Sequence, residues 1–498
     1  MTDHNLNPKS RRKLLKVLGA STVAGLAGCS SGGGDDSGSG TDGGDGGDGG
    51  DGGDSEPPID EWGQRLNDHA READIDWQQF DGDTLVFGMN EHPFTSLMSD
   101  FVPYFEDLTG ITVSFNTFPE DQLWQRLTLD LENESGQFDG FMLGLWPSAR
   151  YHNAGWVRDL NEFIEDPELT DQDWLAMEDF PQGVVDALTN GENDELVAFP
   201  FGVEAYGCVA YDRPTFETLD LDEPTNYEEL LEAAQTIHES DEVDRAGISS
   251  RASSTTLSSA NWATVFKSYG ADWIDRENRE ATLNSEEGIA SLEMFTDLMS
   301  YAPGDIGSFD WYRSAQAFGN GDVGLTLHTP NAVGVFTDEQ LERTEWIAPL
   351  PGPDGERVTA TWTWSLGISE YSRNPGPAWL FLQWAISREA NLLQSIRAWE
   401  GHPTYGWARE GYIFDQPEWE ENGLKESWVE AHSTGLSSVP SDPPPVPLDT
   451  PQNMDIMTEA AIAMNRAVTG EQTSEEALNT AADEIGGHVQ EIPDQYTN

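Results

Sequence analysis

The sequence predicts an α/β fold whose strands alternate with single helices, and three observations carry that prediction. From Asp83 onward, apolar runs of strand length alternate with amphipathic runs of helix length. One helix lies between successive strands, which favours parallel pairing through right-handed crossovers. A third run, FDGFMLGLW at 138–146, is apolar almost throughout and suits a strand covered on both faces.

Taken in order, TLVFGM (84–89) reads as the first strand, and FTSLMSDFVPYFEDLTG (94–110) as a helix ended by Gly110. ITVSFNTF (111–118) is the second strand. PEDQLWQRLTLDLENESG (119–136) is a helix with Pro119 near its first turn, where a missing N–H costs nothing. In such sheets ligands collect at the carboxyl ends of strands, here Asn90 to His92, Phe118 to Glu120, and Trp146. LVAFPFGVEAYGCVAYD (196–212), rich in β-branched and aromatic residues, predicts one long strand crossing between lobes. Helices follow at NYEELLEAAQTIHE, NWATVFKSYG and SEEGIASLEMFTDLMSY, the last with Ser285 as N-cap and acids in its first turn. DVGLTLHTPNAV runs from strand into helix start, TEWIAPLPGPDG from strand into turn, and TATWTWSLGIS is again a strand. Beyond residue 375 the pattern is mostly helical, interrupted by the proline-rich loop SSVPSDPPPVPLDTP.

Composition sets the outer limits. The 498 residues suffice for two or three domains, and 37% apolar residues suffice for their cores. Twenty-five Lys and Arg stand against 91 Asp and Glu, a formal charge of −66, which repels nucleic acid and anionic membranes. After Cys29 only two lysines remain, Lys267 and Lys425. Such a surface suits concentrated salt, because the Debye length falls from ~10 Å at 0.1 M to ~3 Å at 1 M and self-repulsion fades with it. A halophile's protein is the expectation, and 51 Trp, Tyr and Phe residues argue against a disordered acidic chain.

The N-terminus reads as an export leader. KSRRKLLK precedes VLGASTVAGLAG, an apolar stretch too short to span a bilayer. Arg11 and Arg12 resemble a twin-arginine motif, and Leu26-Ala27-Gly28-Cys29 resembles a lipobox, whose cysteine would carry the lipid. Residues 1–28 are thus expected to be the signal peptide, and 29–60, with DGGDGGDGGDGGD, a disordered tether holding the folded part about 25–30 Å from its anchor. Calcium-binding repeats are a poor alternative, since no apolar residue recurs in the run to build a roll. Cys208, alone thereafter, is expected in the core.

FEDLTGITVSFNTF, FDGFMLGLWPSARYHNAGWVRDLNEFI, FPFGVEAYGCVAYDRPTFE, AQAFGNGDVGLTL and WSLGISEYSRNPGPAWLFLQWAISREA, in that order, resemble the family 1 extracellular solute-binding proteins of carbohydrate ABC importers, over roughly residues 83–490. The last segment is most similar to the polyol and sugar binders of that family. The resemblance implies a two-lobed, periplasmic-binding-protein-like clamshell of type II, with residues 80–203 and about 345–400 in one lobe and 204–344 with about 401–495 in the other. It implies a sugar, oligosaccharide or polyol held in the cleft, delivery to an ABC permease with a cytoplasmic ATPase, a monomer at the outer face of the membrane, and no cofactor or metal.

A polyhydroxylated ligand asks for aromatic planes and for groups that hydrogen-bond in fixed directions. The resemblance puts a stacking aromatic at Trp146, though a tryptophan there also suits a core. It puts a sugar-binding carboxylate at Glu204, and Tyr206 shares that face by alternation. Glu91 and His92 occupy the family's first binding loop. Trp362 and Trp364 alternate onto one face, the second matching a tryptophan common in the family. His328 and Asn331 end another strand. Trp399 and Glu400 lie in a turn where relatives often carry Pro-Thr-Arg, but Tyr405 replaces the arginine, which speaks against an anionic-sugar preference.

Catalytic signatures are absent from the folded part: from Asp83 onward the sequence has no HExxH, CxxC, GxxxxGK or GxSxG. A secreted glycosidase is the rival class, since it also needs tryptophans and facing carboxylates. Within the binders, an iron complex or a sugar phosphate is the alternative cargo.

Overall fold

A computed structural model describes residues 61–190, 194–399, 408–417, 425–440, 447 and 450–492. The expected leader, tether and lipid-bearing Cys29 lie outside these residues, as does Glu400.

Two sheets organise the chain. The first takes strands β1 (Thr84–Asn90), β2 (Thr112–Phe118), β3 (Gly140–Gly144), β4 (Phe199–Ala205) and β9 (Thr361–Ile368), in the order β2-β1-β3-β9-β4. The second takes β5 (Cys208–Asp212), β6 (Ala246–Ser249), β7 (Val323–His328) and β8 (Thr344–Ile347), in the order β8-β5-β7-β6. The molecule is an α/β protein of two lobes, one around each sheet.

The opening βαβ unit shows how the sequence makes these layers. Helix Pro93–Thr109 buries Phe94, Leu97, Met98, Phe101, Phe105 and Leu108, a spacing of three and four that puts one apolar stripe on the sheet. Each such side chain contributes about 1.5–3 kcal/mol on burial. Phe105 packs against Phe381 and Trp384 of helix Pro375–Ala385, at ring distances of 5.2 and 5.3 Å. Gly110 ends the helix at φ 74°, where a Cβ would strike the Asp81 carboxylate. The chain returns as β2, parallel to β1 and in register from Thr84 opposite Thr112 to Asn90 opposite Phe118.

β1, β2 and β3 pair in parallel as the alternation predicts, whereas β9 runs antiparallel to both β3 and β4, so the sheet is mixed. The crossing segment 196–212 is two strands rather than one. β4 belongs to the first sheet and β5 to the second, and they are separated at Tyr206-Gly207. Gly207 takes φ 78°, and a Cβ there would lie 2.4 Å from Thr264 Cγ2, so the strand must turn where a residue with a side chain would not fit. β8 pairs with β5, and the return to the first sheet is made by β9.

An element precedes the first predicted strand. Helix Glu61–Ala70 buries Leu66 and Ala70, and Trp77 donates from Nε1 to the Ala70 carbonyl at 2.7 Å. Ser285 caps helix Glu286–Met299 as expected, its side chain accepting from the Gly288 N–H. Cys208 is fully buried, and burial pushes its thiol pKa up.

Candidate functional site

A cavity of about 430 Å³ opens between residues of the two sheets. From the first lobe it receives Asn90 at the end of β1, Glu91 and His92 just after it, Pro119 after β2, and Trp362 and Trp364 of β9. Glu204 and Tyr206 reach it from the crossing. The second lobe supplies Arg251, Thr255, Leu257 and Ser258 from the segment after β6, and Asp310, Trp311 and Tyr312 from the start of helix Trp311–Gly319.

Sheet register explains the aromatic floor. Trp362 stands opposite Glu204, and Trp364 lies between Gly202 of β4 and Gly144 of β3, so directly paired positions share one face. Gly144 leaves that face open for an indole: a Cβ there would sit 2.4 Å from the Trp362 ring. Trp362 and Trp364 meet edge to face at 5.1 Å, and Trp124 stacks behind Trp364 at 6.4 Å.

Polar groups surround this floor. Glu204 is buried and its Oε2 accepts from Trp311 Nε1 at 3.4 Å, a bond that joins the two lobes. Arg251, 3% exposed, lies over the Tyr206 ring at 4.9 Å and donates from Nη1 to the Leu257 carbonyl at 2.9 Å. His92 caps helix Pro93–Thr109, its Nδ1 accepting from the Phe94 N–H at 3.2 Å, and its ring lies 5.3 Å from Trp364. Burial lowers its pKa to about 3, so it is neutral at physiological pH.

Glu91, His92, Glu204, Tyr206, Trp362 and Trp364 therefore converge on one cavity. Three other expected residues do not line it. Trp146 is fully buried behind the floor, its indole 5.8 Å from Trp362 and its Nε1 donating to the Thr361 carbonyl at 3.4 Å. It supports a cavity residue instead of facing the cavity.

His328 is buried beneath Trp311. Its Nδ1 accepts from the Thr329 N–H at 2.8 Å, and burial, followed by the Arg251 charge, lowers its pKa to about 3. In the neutral ring the proton is then on Nε2, which lies 3.1 Å from the Trp311 carbonyl and from Ser314 Oγ. It fixes the turn that presents Trp311. Asn331 donates from Nδ2 to the Val203 carbonyl at 3.3 Å and so braces the crossing strand. Trp399 closes helix Arg388–Trp399, and its side chain lies outside the described part of the structure.

The sequence reading missed the second-lobe wall. Arg251 follows β6, a strand of only four residues, and Trp311 and Tyr312 sit in a first helical turn after the N-cap Asp310. An aromatic pair directly after a capping aspartate was the signal available. Among the described residues no group of three or more His, Cys, Asp or Glu is placed to hold a metal ion.

Residues 90–392 match the profile of the bacterial extracellular solute-binding proteins, which is more than half of the chain. The chain belongs to this family. The solute-binding protein is 25% identical over 344 residues to the erythritol/L-threitol-binding protein of Mycolicibacterium smegmatis, covering 64% of the chain and 69% of that relative. It is 23% identical over 406 residues to the mannitol-binding protein of Pseudomonas aeruginosa, covering 76% and 86%. Among solved structures, an ABC transporter solute-binding protein from Agrobacterium radiobacter K84 in complex with ribitol superposes with a TM-score of 0.69 at 18% identity, over 82% of this chain and 99% of that one. That likeness establishes the two-lobed fold. Family membership establishes extracellular solute capture and sets the glycosidase reading aside: the protein binds its solute and does not transform it.

Proposed function

We propose that this solute-binding protein captures a small linear polyol or a sugar outside the cell and delivers it to the membrane permease of an ABC importer. The observation that carries the reading is the cavity itself: a floor of indoles for C–H faces, walled by carboxylate, guanidinium, amide and hydroxyl groups for a chain of hydroxyls. Relatives named for erythritol, threitol and mannitol support the substrate class. In this reading Glu91, His92, Glu204, Tyr206, Trp362 and Trp364 contact ligand, joined by Trp311 and Arg251, while Trp146, His328 and Asn331 act by holding contacts in place.

The surroundings fit the same role. Twin-arginine export of residues 1–28, a lipid on Cys29, a tether over 29–60 and a monomeric folded part would keep the receptor beside its permease. The excess of 66 negative charges suits an external medium of high salt.

A thermal-shift panel in multimolar salt tests the function. Mannitol, ribitol, erythritol, glucose and maltose are the probes, with ferric citrate and a sugar phosphate as controls. Saturable stabilisation by a neutral polyol or sugar is expected. A response confined to the ferric complex or to the phosphate would replace the cargo assignment.

A further inference from the structure

The chain passes between the lobes where β4 ends and where β9 begins, and at that junction a side chain of the second lobe is inserted into the backbone ladder. β4 and β9 pair antiparallel from Phe199 opposite Leu366 to Ala205 opposite Thr361. One step further Tyr206 faces Ala360, and its N–H donates to the Ala360 carbonyl at 2.9 Å. In a hydrogen-bonded antiparallel pair the reciprocal bond runs directly from the second N–H to the first carbonyl. Here it runs through Thr264: the Ala360 N–H donates to Thr264 Oγ1 at 3.0 Å, and that hydroxyl donates to the Tyr206 carbonyl at 3.1 Å. Thr264 belongs to helix Ala260–Ser268, which Asn261 fastens to the second sheet by donating to the Leu327 carbonyl at 2.9 Å. Gly207 makes the insertion possible, since a Cβ there would stand 2.7 Å from Thr264 Cβ. On the first-lobe side the ladder is braced by its own strand, Thr361 Oγ1 donating to the Glu204 carbonyl at 2.9 Å and Thr363 Oγ1 to the Gly202 carbonyl at 2.8 Å.

We infer that the Thr264 hydroxyl is the pin of this junction: it ties both crossings to the second lobe and sets how firmly the lobes close on a solute. A hydroxyl donates and accepts at once and turns about its own Cβ–Oγ bond, so it follows two strands that bend while keeping both backbone groups paired. Thr264, Tyr206 and Ala360 are all buried. Remove the hydroxyl but keep its volume, and the Ala360 N–H loses its acceptor in the arrangement where Trp311 of the second lobe meets Glu204 of the crossing. An opened arrangement re-spaces the crossings and lets the two backbone groups pair directly, so the loss falls on the closed form. Thr264 does not line the cavity, so the effect is one common factor for every ligand and leaves the order of preference among them alone. The inference rests on the two-lobed solute-binding fold and not on which solute is held.

The test uses the full chain in multimolar salt and titrates D-mannitol, ribitol and maltose, with dissociation rates read by stopped-flow tryptophan fluorescence. The variants are T264V, T264A and T264S, each checked for an unchanged circular dichroism spectrum. The pin predicts that T264V weakens every ligand that binds wild type roughly 10-fold, by one factor and chiefly through faster dissociation. T264S, which keeps the hydroxyl, is expected to stay within about threefold of wild type. T264A makes room for a water that takes the hydroxyl's place, so it should be less damaging than T264V. A side chain that only filled space gives the opposite order, and that result overturns the pin. So does a T264V protein that melts at lower temperature with its affinities unchanged, or one that loses different ligands by different factors, which would mean that Thr264 acts through the Tyr206 wall. If none of the three ligands binds wild type, the cargo reading fails and amide hydrogen exchange of the ligand-free chain decides the pin. Faster exchange over residues 205–208 and 358–361 in T264V, with T264S matching wild type, would uphold it, and equal rates in all three would overturn it.

Discussion

Arg409 is fully buried, yet each nitrogen of its guanidinium donates a hydrogen bond. Its Nη1 donates to the Ala176 carbonyl at 3.0 Å and to Asp179 Oδ2 at 3.1 Å, Nη2 donates to the Leu175 carbonyl at 2.7 Å, and Nε donates to the Ile386 carbonyl. Asp179 also takes a two-pronged contact from Arg388, at 2.6 and 2.8 Å. Burial lowers the Arg409 pKa to about 10, still charged at neutral pH. Removing Asp179 would strand a buried charge, which costs about 3–5 kcal/mol. D179A is expected to lose that much in urea denaturation, with the midpoint shifted and the slope unchanged. Conservative replacement of exposed Glu217 should do almost nothing.

Histidines give the same logic a pH dependence. His328 and His432 are buried, and burial lowers both to about 3, against ~6.5 in an unfolded chain. Between those values the unfolded state binds the extra protons, so this contribution to stability is complete above pH ~6.5 and is lost as pH falls toward 3. Each histidine contributes a slope of about 1.4 kcal/mol per pH unit within that window. Asp212 works in the same direction at lower pH. Burial alone would raise its pKa, but hydrogen bonds from Thr215 and Arg343 and the charges of Arg245 and Arg343 hold it below the usual value. Melting temperature measured from pH 7 to pH 4 is expected to fall continuously, and less steeply in H432Q if the replacement packs. A flat profile would contradict the assignment of neutral buried imidazoles.

At the scale of elements, β9 is the strand on which the site depends. It carries Trp362 and Trp364, lies between β3 and the edge strand β4 of the first sheet, and relies on Gly144 for the room its indole occupies. G144V would push the Trp362 ring aside. It is expected to cost about 1–3 kcal/mol in denaturation, as overpacked cores do, and to weaken polyol binding more than 10-fold in the same preparation. The helices are held by local chemistry that is easier to read. Thr473 and Glu476 form a reciprocal capping box on helix Ser474–Gln490. T473A should cost about 1 kcal/mol without touching the ligand.

This contrast explains what was legible in the sequence. Helix Pro93–Thr109, the cap at Ser285 and the strands β1 to β3 follow from periodicity and capping, which are local, and the residues that close the first-lobe wall follow from strand ends plus the family likeness. The break at Gly207 depends on Thr264, distant in sequence, and so was invisible. Trp146 and Trp362 read alike, each at an apolar strand, and only the packing of one behind the other separates support from surface. Arg251 and Trp311 were missed because a four-residue strand and a first helical turn carry almost no periodic signal.

For the whole molecule, two features of the chain act together. The lobes are joined across the cavity by Trp311 Nε1 and Glu204 Oε2, a contact long enough for a ligand hydroxyl to displace. Ligand bound to both walls favours the closed arrangement by the difference in its affinity for the two states. The acid-rich surface, 91 carboxylates against 25 basic side chains, loads the fold with self-repulsion that salt relieves. Stability is therefore expected to rise as sodium chloride is raised from 0.1 to 3 M, read as an increasing melting temperature. A decrease over that range would show that the charge excess is not an adaptation to salt.

Calorimetric titration of the full chain with D-mannitol in concentrated salt, followed by chromatography of the recovered ligand, addresses the function most directly. Saturable heat at one site per chain, quenched in W364A, with the mannitol returned unchanged, is the predicted result. An absence of binding to mannitol and to every other neutral polyol or sugar, or recovery of a chemically altered ligand, would contradict it.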